Sequence, residues 1–201
     1  MKKLILGFIA LCVSATSAYS EPELEVSAHS RHMWRGQTGP SAVSIQPEIT
    51  MAIGETGTSV NFWSQIPIQG NDTEHNFTIS QEIGEIGTLS GTSYYFDGSL
   101  LEGDSHSLEM SFTTSYAGVN LLVGRFLYGN EVKNDTWMEI GYDVKSFDVF
   151  AGVGDGAYMK NDDSMGLVVL GASIETEGGY GASFIYNVDT ETPLLTVNKN
   201  W

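Results

Sequence analysis

Val43-Ser44-Ile45-Gln46-Pro47-Glu48-Ile49-Thr50-Met51-Ala52-Ile53 alternates along most of its length. In an extended strand successive side chains point to opposite faces. One face then carries Val43, Ile45, Pro47, Ile49, Met51 and Ile53, and the other carries Ser44, Gln46, Glu48 and Thr50. The same period recurs. Phe77, Ile79 and Ile83 stand against Asn76, Thr78, Ser80 and Glu82. Leu108, Met110, Phe112 and Tyr116 stand against Ser107, Glu109, Ser111 and Thr113. Met138, Ile140, Tyr142 and Val144 stand against Glu139, Gly141 and Asp143. Helical periodicity is poor throughout, and no stretch beyond the N-terminus reaches 18 consecutive apolar residues.

Turn signals divide the chain at two kinds of place. Gly54–Gly57, Gly84–Gly87, Ala117-Gly118, Lys145-Ser146 and Glu177–Gly179 are short, as hairpin turns are. Between them lie longer polar connections at 35–42, 67–73, 97–105, 129–135, 155–163 and 189–192. The two kinds alternate. The reading is twelve strands at 24–34, 43–53, 58–66, 74–83, 88–96, 106–116, 119–128, 136–144, 147–154, 164–175, 180–188 and 193–201, or ten if two weak ones fail. Short turns at one end and long loops at the other describe an antiparallel transmembrane β-barrel. A secreted β-sandwich is the competing architecture. The barrel is favoured by the ionisable residues at mid-strand on the polar face, Glu48, Glu82, Glu109 and Glu139, and by aromatics near strand ends, Trp34, Phe62, Tyr116 and Tyr186.

The chain has 201 residues, 9 Lys+Arg against 25 Asp+Glu, 23 Gly and one Cys. Such acidity argues against nucleic acid as a partner, because phosphate binding needs a basic face. Lys2-Lys3, an apolar run from Leu4 to Ala15 and small residues at Ala18 and Ser20 read as a signal peptide over 1–20, leaving 21–201 as the barrel. That cleavage leaves 7 basic and 25 acidic residues and no cysteine. It would exclude disulfides and cysteine-based metal sites from the mature protein.

Twelve strands about 4.8 Å apart and tilted by about 40° close into a cylinder roughly 24 Å across, with room for a lumen of about 10 Å. Parity places Glu25, His29, Arg31, Arg35, Gln46, Glu48, Glu82, Glu109, Glu139, Asp143 and Asp148 inside. Strand 119–128 is apolar on both faces. An Arg facing lipid costs about 2–4 kcal/mol, so the expectation is Arg125 inside, with Leu122, Phe126 and Tyr128 outside. Strand 164–175, with Leu167-Val168-Val169-Leu170, stays ambiguous. Lumen acids outnumber bases, which favours cations. Arg31 and Arg35 read either as a charge ladder across the lumen or as ion pairs that fill it. Trp34, Tyr116, Tyr186 and the terminal Trp201 read as interfacial aromatics, and Tyr94-Tyr95-Phe96 as part of the same girdle.

Asp104-Ser105-His106-Ser107 gathers Ser, His and Asp, but neighbouring strand residues point apart, so adjacency makes no triad. A barrel lipid hydrolase would need His29 or His106 to meet a Ser and an acid. Asp155-Gly156 and Asn161-Asp162-Asp163 could offer oxygen ligands to calcium, but they lack the spacing of a calcium loop. No metal, cofactor or catalytic residue is expected.

Ser30-Arg31-His32-Met33-Trp34-Arg35-Gly36-Gln37, then Ser41-Ala42-Val43-Ser44-Ile45-Gln46-Pro47-Glu48, then Asn61-Phe62-Trp63-Ser64 carry a resemblance. They are similar to the opening hairpin of the TorF family of porin-like outer-membrane proteins, over residues 24–66. An aromatic-Arg-Gly motif ends the first strand of that family. The resemblance implies a bacterial outer-membrane barrel acting as a channel, and it supplies no catalytic residues. The expected partners are outer-membrane lipid and lipopolysaccharide, small polar solutes or ions, and the barrel-assembly machinery through the C-terminal strand ending at Trp201. The alternative is a non-conducting barrel that presents its loops for adhesion or envelope structure. Oligomeric state is not legible.

Overall fold

The computed structural model describes residues 21–38, 43–70, 73–96, 106–129, 132, 134–145, 147–159 and 164–201. The proposed signal peptide, Asp104-Ser105 and Asn161-Asp162-Asp163 lie outside the described residues.

Twelve strands form one closed antiparallel barrel. In chain order they are β1 (Glu23–His29), β4 (Ser44–Ile53), β5 (Thr58–Pro67), β6 (Glu74–Glu82), β7 (Thr88–Phe96), β8 (His106–Tyr116), β9 (Val119–Tyr128), β10 (Thr136–Val144), β11 (Phe147–Gly154), β12 (Gly166–Glu175), β13 (Tyr180–Asn187) and β14 (Thr192–Asn200). Each pairs with its sequence neighbour, and β14 closes on β1 through Ser27 opposite Asn200 and His29 opposite Asn198. Closure leaves no free sheet edge. Between β1 and β4 the chain makes a separate two-stranded hairpin, β2 (Met33–Trp34) and β3 (Gln37–Thr38).

The face assignments follow from the register. Ile49 pairs with Phe62, and Phe62 with Phe77. These three, with Leu121, Ile140 and Phe184, are exposed on the outside of the barrel. Glu48 pairs with Trp63, and Trp63 with Asn76, on the inside. An apolar outer wall around a polar inner wall is compatible with an outer-membrane barrel protein. Among the described residues no helix is long and apolar enough to cross a membrane.

The ambiguous strand is settled by a bulge. The β11–β12 register shifts between Gly152 and Val153, so Leu167 and Leu170 face out while Val168 and Val169 are both buried. A bulge adds one residue on one strand and lets consecutive side chains share a side.

The inside is built around bulk facing glycine. Gly124, Gly141, Gly152, Gly171 and Gly181 hold inward positions on β9, β10, β11, β12 and β13. A Cβ on Gly152 would lie 2.1 Å from the Trp137 ring, and one on Gly171 would lie 2.2 Å from Phe150. Gly152→Val therefore unseats Trp137. Overpacking of this kind costs about 1–3 kcal/mol. The expected result in urea unfolding of the refolded protein is an earlier midpoint and loss of the native near-UV tryptophan signal.

Candidate functional site

After β1 the chain turns inward instead of continuing as strand. Ser30 N–H donates to the Val197 carbonyl and Thr196 Oγ1 donates to the Arg31 carbonyl, which carries the loop over β14. The hairpin of β2 and β3 then crosses the barrel interior near the long-loop rim. Its tip is Arg35-Gly36, both at positive φ (49° and 76°). Glycine adopts that conformation freely, whereas a non-glycine residue does so only when its surroundings hold it there. Gly36 also needs its missing side chain, because a Cβ there would sit 3.2 Å from Val169 Cβ. Asn187 Nδ2 donates to the Gly36 carbonyl at 2.9 Å.

What holds Arg35 is specific. Nη1 donates to Glu109 Oε2 at 2.5 Å, Nη2 to Glu109 Oε1 at 2.8 Å, and Nη1 also to Tyr158 Oη at 2.6 Å. The guanidinium lies 4.6 Å from the Trp34 ring centre, with Trp137 at 5.8 Å and Tyr158 at 5.7 Å. A planar, bidentate and aromatic-caged cation is a role for Arg that Lys does not fill. Burial alone pulls the Arg35 pKa down; the hydrogen bond to Glu109 and the charge of its carboxylate offset that pull, and the net direction is up. Burial likewise pushes the Tyr158 phenol up, against the pull of Arg35, so it stays neutral and donates or accepts as a hydroxyl. Trp34 packs edge-on against Tyr94 and Phe126, with Tyr158 beside it.

The far side of the loop is different in kind. His32 lies over the inner wall of β4–β6. Its Nδ1 is 3.4 Å from Gln46 Nε2, its Nε2 is 3.5 Å from Glu74 Oε2, and its ring centre is 5.3 Å from that of Trp63. Beneath it Gln46, Gln65 and Glu74 stand side by side across the three strands. Asn76 Nδ2 donates to Glu74 Oε1. Gln65 is 1% exposed, and both Gln65 Nε2 and Asn76 Oδ1 are buried with no hydrogen-bond partner among the described residues. Each such group costs about 1–3 kcal/mol.

On the short-turn side of this plug is a cavity of about 630 Å³, lined among others by Thr88, Asn120, Glu139, Asp143, Asp148 and Phe150. Glu25, Glu48, Glu82 and Glu175 hold inward positions on other strands. Among the described strand residues, no Lys or Arg stands at an inward position. Arg125 and Lys199, the two on strands, both face out.

Arg125 is thus the reverse of the expectation. It pairs with Met110 and Thr136 on the outer face and is exposed, while Leu122 and Phe126 face in. The reason is steric. The position beside Glu109 must be Gly124, since a Cβ there would meet Glu109 Oε1 at 2.7 Å and Arg35 Nη2 at 3.0 Å. Phe126 is also needed inside, against Trp34 and Tyr94. Two other expectations are corrected by the same plug. Trp34 belongs to the interior and not to an interfacial girdle. Tyr94 is buried under Trp34, and only Tyr95 of that trio stacks on the outer face, against His75. Tyr116 at 85%, Trp201 at 67% and Tyr186 do lie on the outer face.

Of the site residues read from sequence, Arg35 and Glu109 are brought together. Glu48, Glu82 and Glu139 face the lumen, with Glu48 accepting from Asn61 Nδ2. Arg31 is half-buried where the loop leaves β14. Sequence reading missed Tyr158 and Trp137. Tyr158 comes from a single 3-10 turn, Gly156–Tyr158, tied down by Asp155 Oδ1 accepting from Thr136 N–H and Asp135 Oδ2 accepting from Ala157 N–H. Asp155, suggested as a calcium ligand, therefore staples the loop together with Asp135. No cluster of three metal-ligating side chains occurs among the described residues. The usable signal was the run of glycines at inward parity on β9–β13, which requires something bulky opposite.

Three histidines meet serine. His29 Nε2 is 2.9 Å from Ser27 Oγ, His75 Nδ1 is 2.7 Å from Ser64 Oγ, and His106 Nδ1 is 3.1 Å from Ser93 Oγ. Ser64 is 2% exposed, which closes its hydroxyl to a substrate. These pairs orient rings on the barrel wall.

No protein-family model and no curated protein sequence matches the chain.

Removing one partner of the Arg35–Glu109 pair strands a buried charge, a loss of about 3–5 kcal/mol. Arg35→Ala and Glu109→Ala should each move the urea midpoint strongly. The double variant should lose clearly less than the two single losses added, measured as a double-mutant cycle.

Proposed function

We propose that this protein is a bacterial outer-membrane barrel that passes small polar solutes or ions through a gated, cation-favouring lumen. One observation carries the reading: a closed, outwardly apolar barrel surrounds a carboxylate- and hydroxyl-lined space that has no inward Lys or Arg among its described strand residues. Charge of one sign in a confined space raises the local concentration of counter-ions. Diffusion through it needs no catalytic group. The resemblance of residues 24–66 to the TorF family supports the same reading, as does the export-type N-terminus. Lipopolysaccharide would meet the outward face near the long loops, and the assembly machinery would read the strand ending at Trp201.

The plug favours a second reading. Arg35 and its aromatic cage fill much of the lumen near the long-loop rim. A barrel kept shut there would serve by presenting its loops.

Planar-bilayer recording of the refolded mature chain under a salt gradient separates the two. The channel reading expects small discrete steps with a cation-favouring reversal potential. Glu139→Gln is expected to move that potential towards zero selectivity. Arg35→Ala/Glu109→Ala, which removes the anchor without leaving a lone charge, is expected to enlarge the steps by about twofold or more. Silence from both wild type and the double variant supports the loop-presenting reading instead.

A further inference from the structure

The plug is fastened unequally. Towards β8 and the Tyr158 turn it makes four hydrogen bonds of 2.5–2.8 Å, three of them within an aromatic cage. Towards β13 and β14 it makes backbone-directed bonds of 2.9–3.0 Å. Towards β4–β6 its polar contacts among the described residues are those of His32, at 3.4 and 3.5 Å. The wall under His32 is also where two buried polar atoms, Gln65 Nε2 and Asn76 Oδ1, lack partners among the described residues. Both atoms are thus buried without partners among the described residues, beside the Glu74 and Trp63 that His32 touches. The opposite side differs in strength: opening it would separate a bidentate guanidinium–carboxylate pair and expose the three rings around it, of which Trp137 carries the one further buried polar atom, Nε1, without a partner among the described residues.

We propose that solute passes between His32 and the β4–β6 wall, with Gln65, Glu74 and Asn76 as the side chains it touches and the Arg35 side as the fixed anchor. The inference rests on the channel reading and adds the route and the class of solute. Gln65 offers a donor, while Asn76 and Glu74 offer acceptors. Glu74 sets the sign, because an anion would meet a carboxylate whose one basic neighbour among the described residues is His32. The slot thus suits a small solute rich in hydrogen-bond donors, hydroxylated or ammonium-bearing, and rejects anions.

The mature chain contains no cysteine once residues 1–20 are removed, so an introduced thiol is unique. Asn76→Cys and Gln65→Cys, each in the whole refolded barrel, would be treated with a trimethylammonium methanethiosulfonate reagent, with Val169→Cys under the anchored Gly36 as the comparison. Labelling is read by intact mass and its effect by bilayer conductance. Fast labelling of either slot variant, with conductance falling about twofold or more and Val169→Cys inert, is the expected result. His32→Ala should speed labelling and raise conductance. A conducting barrel in which both folded slot variants stay unlabelled, or in which Val169→Cys labels faster, overturns the route and leaves the channel reading standing. If wild type, His32→Ala and Arg35→Ala/Glu109→Ala all insert and none conducts, the channel reading fails and the route fails with it. Gln65→Cys keeps the test decisive where Asn76→Cys does not fold, and the reverse.

Discussion

A guanidinium cannot sit inside a β-barrel without a counter-charge and donors' partners arranged around it, and Arg35 is the group to which the rest of this interior conforms. Its charge requires Glu109, whose carboxylate faces it in a bidentate pair. The pair requires Gly124 on the neighbouring strand, because no side chain fits there. Its remaining surface requires Trp34, Trp137 and Tyr158. Tyr158 in turn requires a loop pinned by Asp135 and Asp155. The chain of dependence runs from one side chain through four strands and two loops.

The consequence is a lumen with two unlike halves. Near the long-loop rim the β7–β12 side is packed like the core of a soluble domain, with Tyr94, Phe126, Trp137, Tyr158, Val168 and Val169 all buried. On the β1–β6 side it is lined by carboxamides, carboxylates and hydroxyls, several of them bonded to one another across strands, as Asn61 is to Glu48 and to Thr50. A loop anchored on the first side and resting lightly on the second divides the free energy of closure unevenly. On the channel reading proposed above, the acidic cavity beyond it would set which ions and solutes gather there. That reading assigns stability and access to opposite walls of one barrel.

Much of this was legible beforehand where alternation was clean. Val43–Ile53 has its apolar set outside and its polar set inside, and eleven other strands follow from the spacing of turns. Strand 119–128 was not legible, because both of its faces are apolar and the cost of an Arg in lipid was set against nothing else. The competing term was local and three-dimensional: Gly124 and Phe126 had to face Glu109 and Trp34, which left Arg125 outside. Arg125 stands three residues from the end of β9, opposite the first residue of β10. A long side chain at such a strand end reaches the interfacial level, where the cost of a cation falls towards about 0–1 kcal/mol.

By itself the sequence determined the class of fold, the number of strands, the face that each clean strand turns outward and the acidic sign of the lumen. These depend on a period of two and on turn chemistry, both local properties. Only the tertiary structure decided that the Trp34-Arg35-Gly36 turn folds inward, that Arg35 reaches Glu109 across 74 positions of chain, and that His32 rests on the Gln46, Trp63 and Glu74 wall. Those facts depend on which distant residues share a volume, and closure of the barrel creates that volume.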